Sequence, residues 1–335
     1  MRRNGTGLSA KPYLYLELNN KDISAYITPY LISFRYLDND GFEKEETDDV
    51  EITVADPSFF FRDNPPLRGS SLLVKFGYQQ QNRFGGIFYI DSYTYSYSRE
   101  GSVMTIRALA KDVKLSFRTK ITTAFENTTL RRIAYDIATK HGYNLHFIGA
   151  DVAFERITQY KETDLGFLKR LCHRYGYTLK INNRTIIIQE LNTLLQNYSN
   201  LAYTITPDIV LDFECEVSSL YAGEVKITYL DPDGKEVTYG DSYTHVKNSG
   251  TVQKETVRVE NMLQAQKLAE AQKIRNEMRE VTGRITTTGL PMLYASCLFA
   301  LQGFGRFDGT YYAASVEHRI SRSGYITTLE FRRAR

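Results

Sequence analysis

Through the first hundred residues apolar and polar positions alternate with a period of two, the pattern of strands with one buried face. Tyr13–Leu18, Ile32–Tyr36, Val50–Val54, Leu72–Phe76, Phe84–Tyr97 and Val103–Ala108 are the expected strands. Asn19-Asn20 marks a turn, Gly85-Gly86 a bend or bulge, and Asp38 to Asp49 an acidic connection. From Phe125 the period changes. Thr128 or Thr129 caps a helix whose apolar face is Leu130, Ile133, Ala134, Ile137 and Ala138, and Gly142 ends it ahead of a strand over Tyr143–Phe147.

A second helix follows the same plan. Thr163 is its N-cap, Asp164 puts negative charge at the positive end of the dipole, and Leu165, Leu168, Leu171 and Cys172 form one stripe. Gly176 stops it, and Tyr177–Ile181 with Thr185–Gln189 flank Asn182-Asn183-Arg184 as a hairpin. HGYNLHF after the first helix answers RYGYTLKI after the second, so two related helix-strand units stand in series. Beyond Leu201 come strands at Ile209–Asp212 and Glu224–Tyr229, a turn at Asp231–Gly234 and a loop over 240–250. A long helix is capped by Asn261, shows Met262, Ala265, Leu268, Ala269, Gln272 and Met278 on one face, and ends at Thr282-Gly283. Arg284 to Phe331 reads mostly as strands.

A repeat organises these elements. At a constant offset of 223, Gly86 meets Gly309, Phe88 meets Tyr311, Ser98-Arg99 meets Ser321-Arg322, Gly101 meets Gly324 and Thr105 meets Thr328. Each copy is a glycine, a long alternating strand, a turn and a second alternating strand. The fold class expected is therefore α+β and β-dominated, with two similar barrels flanking a small α/β module. The expected division is a leader over 1–10, a first barrel over 11–111, the middle module over 112–200, and a second barrel over 201–335 carrying the helix near 261–280.

Composition narrows the class. A chain of 335 residues with 42% hydrophobic and 24% charged residues is that of a globular protein of two or three domains. No run approaches the roughly 20 apolar residues that cross a bilayer, and MRRNGTGLSAKPYL has no apolar core of a secretory signal. A net charge of +3, dispersed along the chain, argues against nucleic-acid specificity. Cys172, Cys215 and Cys297 are odd in number and widely spaced, which suits small buried apolar residues in a reducing cytoplasm rather than a disulfide or zinc framework.

Candidate chemistry is sparse. Asp38, Asp40 and Gly41 lack the ligand period of a calcium loop, and Asp231 and Asp233 are explained by a hairpin. His141 and His146 straddle a helix end without a third ligand, so capping and surface roles are expected of them. A hydrolase would need paired carboxylates, a Cys/His pair or a zinc set, and none stands in a recognisable motif. No catalytic, cofactor-binding or metal residue is assigned.

Gln159, Glu162, Thr163, Asp164, Phe167, Leu168, Arg170, Leu171, Tyr175, Gly176 and Tyr177 together resemble the middle-domain motif of phage late control D proteins. These are contractile-tail baseplate hubs, and the hub portion of type VI secretion spike proteins is similar. The stretch Thr47 to Asp56 resembles the family's first barrel, and Gly305–His318 with Gly324–Glu330 resembles its closing signature, Gly309, His318 and Gly324 included. The resemblance implies a structural homotrimer whose ring adapts a hexameric tail tube, or a tube-initiator protein, to a trimeric spike. It also implies contacts with tape-measure and baseplate wedge proteins, and a place in a virion tail or injection particle assembled in the bacterial cytoplasm. The chain ends after the second barrel hairpin, so the spike is expected to be a separate protein. Phage, tailocin and extracellular injection particle stay open, and a tail-borne cell-wall hydrolase and a carbohydrate-binding β-protein remain as alternatives. Asp48, Asp49, Met262 and Leu268 are expected at subunit contacts, and His318 is expected to be structural.

Overall fold

A computed structural model describes residues 11–42, 48–110, 119–196, 201–218, 224–230, 236–242, 252–256 and 259–334. The expected leader, the middle of the acidic connection, the Asp231–Gly234 turn and most of the 240–250 loop lie outside the described residues.

The first part runs β1 (Pro12–Leu18), β2 (Lys21–Asp22), α1 (Ser24–Ile27), β3 (Leu31–Asn39), β4 (Asp49–Ala55), α2 (Phe60–Asp63), β5 (Ser71–Tyr78), β6 (Gln81–Ser98) and β7 (Gly101–Leu109). Its strands follow the order β3-β4-β7-β6-β5-β1-β2. Alternation puts Leu16, Phe34, Ile52, Val74, Phe88 and Ile106 into one core. Gly85 is bulged out between the Val74–Gly86 and Lys75–Phe84 pairs, as its sequence suggests.

The middle module runs β8 (Lys120–Thr129), α3 (Leu130–His141), β9 (Asn144–Ile148), β10 (Ala153–Thr163), α4 (Asp164–Tyr175), β11 (Tyr177–Asn182), β12 (Thr185–Glu190) and α5 (Leu191–Gln196). Thr129 and Thr163 are the N-caps, accepting from the Arg132 and Gly166 amides, and Gly142 and Gly176 end both helices in the left-handed region. Thr129 and Thr163 stand 34 positions apart, as do Gly142 and Gly176. In the β8–β10 ribbon Ala124 pairs with Thr158, again 34 apart, so a local two-fold relates the units strand for strand. Each unit is therefore strand, helix, strand rather than helix, strand.

The last part runs β13 (Leu201–Ile205), β14 (Val210–Val217), β15 (Glu224–Leu230), β16 (Glu236–Ser242), β17 (Val252–Thr256), α6 (Met262–Glu280), β18 (Val281–Thr288), β19 (Leu298–Leu301), β20 (Gly309–Ser321) and β21 (Gly324–Arg333). The 223-residue repeat holds at the level of single pairs. Asp91 is bulged between Ile90–Ala108 and Ser92–Arg107, and Ala314 is bulged between Ala313–Phe331 and Ser315–Glu330. The likeness extends beyond the hairpin. β14 matches β3 at an offset of 179, with Leu211 and Ile32 as equivalent bulges, and β18 matches β4 at an offset of 233. Thr53–Thr105 at 3.3 Å and Thr286–Thr328 at 3.1 Å are the same cross-strand contact in both copies.

The two copies form one 13-stranded sheet, because β20 pairs with β3 from Ser315–Asn39 to Ser321–Ser33. Between β14 and β18 the second copy carries β15–β17 and α6, where the first has the acidic connection between β3 and β4. α6 ends at Glu280 and runs straight into β18, so Thr282 and Gly283 are strand residues and not the helix stop expected. Gly283 is needed for packing instead: a Cβ there would lie 2.3 Å from the Phe331 ring.

Candidate functional site

A buried polar cluster lies where the two sheet halves meet the middle module. β3 ends its apolar alternation with Asp38, which is fully buried. One Asp38 oxygen accepts from Lys180 on β11, and the other accepts from Arg83 on β6 at 3.3 Å and from the Ala295 amide at 3.1 Å. Three distant stretches thus converge on one carboxylate. Burial works against its charge, but Lys180 and Arg83 outweigh that and hold its pKa below the ordinary value. Asp48 is treated differently: burial pushes its pKa up to about 7, with Lys180 3.9 Å away offsetting only part of the cost.

Arg83 also donates to the Leu293 carbonyl at 2.6 Å. His318 on β20 shares that carbonyl through Nε2 at 3.1 Å, and its Nδ1 faces the Tyr325 hydroxyl at 2.8 Å. Its ring stacks on Tyr36 of β3 across the joint. Burial, helped by Arg83, lowers the His318 pKa to about 3, so the imidazole is neutral. With Tyr, Thr and a backbone carbonyl as its hydrogen-bond partners, this histidine packs and orients. Among the described residues no group of three or more His, Cys, Asp or Glu is placed to hold a metal ion.

The motif residues of the middle module form a second lock. Gln159, fully buried, donates through Nε2 to the Glu162 carbonyl and to Asp164, each at 3.0 Å. Asp164 also accepts from Lys140 at 2.7 Å and contacts His141 Nε2 at 2.8 Å, which ties the start of α4 to the end of α3. Burial opposes ionisation of Asp164, and the bonds from Lys140, Gln159 and His141 more than compensate, so its pKa is lowered. His141 is thus inside the fold, its side chain 1% exposed, and not at the surface as its position suggested. Arg170 reaches Glu162 at 3.0 Å and the Thr158 carbonyl at 3.2 Å. Phe167, Leu168, Leu171 and Tyr177 are core, and Gly176 lets the Ala271 methyl of α6 approach to within 2.9 Å of where a Cβ would be.

Of the residues expected at subunit contacts, three lie inside the chain. Asp48 is in the polar cluster, Asp49 pairs with Arg35 at 3.0 Å and Arg107 at 2.7 Å, and Leu268 belongs to the core of the middle module. Met262 is exposed. Gly309 and Gly324 open the two strands of the closing hairpin. Cys172 and Cys297 are buried as expected, whereas Cys215 is half-buried on β14. Sequence reasoning missed Lys180, Arg83 and Tyr325; a lysine inside the alternating run of β11 was the one available signal.

A family model described as phage tail baseplate hub matches residues 51–324. The chain belongs to this baseplate hub family. Two relatives, each named a probable baseplate hub protein, come from Escherichia phages 186 and P2. The first is 28% identical over 178 residues, covering 52% of this chain and 44% of the relative. The second is 30% identical over 173 residues, covering 51% and 43%. The matched stretch is thus under half of each relative's length. Solved structures agree on the fold. A tail protein from Neisseria meningitidis superposes with a TM-score of 0.72 at 13% identity, covering 96% of this chain and 97% of that one. A 43 kDa tail protein of prophage MuSo2 from Shewanella oneidensis gives 0.68 at 16%, with 96% and 98% covered. The E. coli c3393 protein, a type VI secretion component, gives 0.57 at 14%, with 90% and 73% covered. As a hub family member, the protein is a β-dominated tail component whose buried polar clusters hold its parts together.

Proposed function

We propose that this hub protein acts as a homotrimeric ring that adapts a six-fold tail tube to a three-fold spike in a contractile injection machine. The observation that supports it most is the duplication: two matched sheet halves per chain make six similar positions when three chains close a ring. On this reading residues 11–111 and 201–335 are tube-like domains and 112–200 the module between them. One rim would meet the tube or its initiator and the other the spike, with tape-measure and wedge proteins as further neighbours and Met262 at a subunit contact. The role is mechanical and needs no cofactor; assembly would take place in the bacterial cytoplasm. The test is co-expression with candidate tube and spike proteins from the same genome, followed by affinity capture and negative-stain imaging. A ring seated between tube and spike is expected. Failure to capture either protein, with a zymogram showing cell-wall hydrolysis, would instead support the tail-borne hydrolase.

A further inference from the structure

We propose that the groove between α3 and β9 docks an acidic, glycine-bearing extended segment of another protein. The first helix unit of the middle module is then covered from outside as the second unit is covered from within the chain.

Both units carry the same groove. At the 34-residue offset Arg131 answers Leu165, Tyr135 answers Lys169, and Leu145-His146-Phe147 answer Leu179-Lys180-Ile181. These five positions line a groove on each unit, between α3 and β9 in the first and between α4 and β11 in the second. β9 and β11 are the two outer strands of the sheet β11-β12-β9. Each groove therefore runs beside a sheet edge, where backbone groups can receive another segment.

Among the described residues only the second groove is covered. Asn39, Gly41 and Asp48 of the acidic connection complete its lining, and about 20 Å³ of space is left. The first groove has a volume of about 600 Å³, and every residue lining it belongs to the module itself. Burial follows the same division. Leu179 and Ile181 are 3% and 4% exposed, whereas Leu145 and Phe147 are half-buried and Tyr135 is 52% exposed.

The covered groove shows what the open one selects. There Asp38 and Asp48 face Lys180, and Gly41 lets the incoming backbone press on the β11 edge, since a Cβ would lie 1.9 Å from the Leu179 carbonyl oxygen. In the open groove the cations stand at the rim. Arg131 lies over the Phe147 ring at 4.8 Å, and the side chains of Arg131 and Arg132 are 53% and 66% exposed. Their carboxylate neighbours are Asp151 at 3.9 Å and Asp136 at 3.1 Å. Exposed pairs of this kind contribute little, so incoming carboxylates can compete for both guanidiniums. The fitting segment brings carboxylates to Arg131 and Arg132 and a glycine to the edge at Leu145. In each copy of this chain Asp38 and Asp48 are already engaged at Lys180, so the segment comes from another protein.

The test is fluorescence anisotropy of a labelled peptide with the sequence of residues 37–49, LDNDGFEKEETDD, titrated with the full-length protein. Saturable binding is expected. Arg131→Glu with Arg132→Glu should weaken it about tenfold or more, and an unchanged melting curve would show that the variant folds. A peptide with amides in place of its carboxylates, and one carrying Gly41→Val, should each lose binding to a similar degree. The charge reversal lies outside the groove between α4 and β11. Binding that survives it would mean that the peptide merely displaces the chain's own connection, and would overturn the proposal. Equal binding of the amide peptide, or none up to ~1 mM peptide, would overturn it as well. Self-association of the full-length chain that the same reversal abolishes would seat a second copy in the groove and overturn the assignment to another protein.

Discussion

The two halves of the long sheet share strand order, hairpins and bulges, and they differ most in how each reaches the middle module. Both do so from equivalent connections, β3 to β4 in the first half and β14 to β18 in the second. In the first half that connection is short and acidic, and it docks through charge: Asp38 and Asp48 on Lys180, with Gly41 against the β11 backbone. In the second half it has grown to include α6, which docks through Ala265, Leu268 and Ala269 packed on α4 and its neighbours. Phe42 from the first connection and Ile274 and Met278 from α6 then share one core with α5, Tyr312 and Leu298. A duplicated scaffold has thus held the same module mainly by charge on one side and, on the other, by an apolar helix face to which the Lys267–Glu190 ion pair is added. Charge needs every partner present, since a buried ion left alone is costly, whereas apolar contact degrades by increments of area.

That contrast sets the order of expected effects. Asp38→Ala strands Lys180 and Arg83 in the junction and should cost about 3–5 kcal/mol of stability, read by denaturant unfolding. A loss under 1 kcal/mol would mean the charged dock is dispensable. Leu268→Ala removes apolar volume and leaves no orphaned charge, so about 2–4 kcal/mol is expected in the same assay. Gly41→Ala is smaller in atoms but awkward in place. Its φ is +68°, and the new Cβ would fall 1.9 Å from the Leu179 carbonyl oxygen, so the backbone must move. A loss of about 1–3 kcal/mol is expected, and a neutral result would show that the connection can lift off β11.

The last effect is one of pH, read as a slope rather than as a single loss. Asp48 titrates near 7 in the folded chain against 3.8 when unfolded, so the stability it contributes is fully present below pH 3.8 and is lost as pH rises through 7. His318, lowered to about 3, acts in the opposite sense, contributing above 6.5 and losing that as pH falls through about 3. Comparing wild type with Asp48→Asn cancels the histidine. The stability difference in favour of wild type should shrink between pH 4 and 7 and then level off, as measured by melts in a buffer series. A difference independent of pH would remove Asp48 from the junction's electrostatics.

Local features of this fold were legible in the sequence where one turn or one face suffices. The caps at Thr129, Thr163 and Asn261 and the hairpin repeat all depend on residues near each other in the chain. The β8–β10 ribbon was not legible, because KITTAFENTT carries only Ile121 and Phe125 on its inner face, with Thr123 between them, and leaves too little apolar alternation to read. The junction was hidden for another reason. Asp38 and Lys180 are 142 positions apart, and a single aspartate at the end of a strand carries no mark of a lysine that distant. The β3–β20 pairing is equally silent, since each strand alone fits a barrel of its own.

The most direct measurement is the solution mass of the purified chain, by light scattering, alone and then with its tube and spike proteins. The duplicated-ring account predicts a species of three times 38.5 kDa, formed alone or on adding the spike. A chain that stays at 38.5 kDa under both conditions would contradict it.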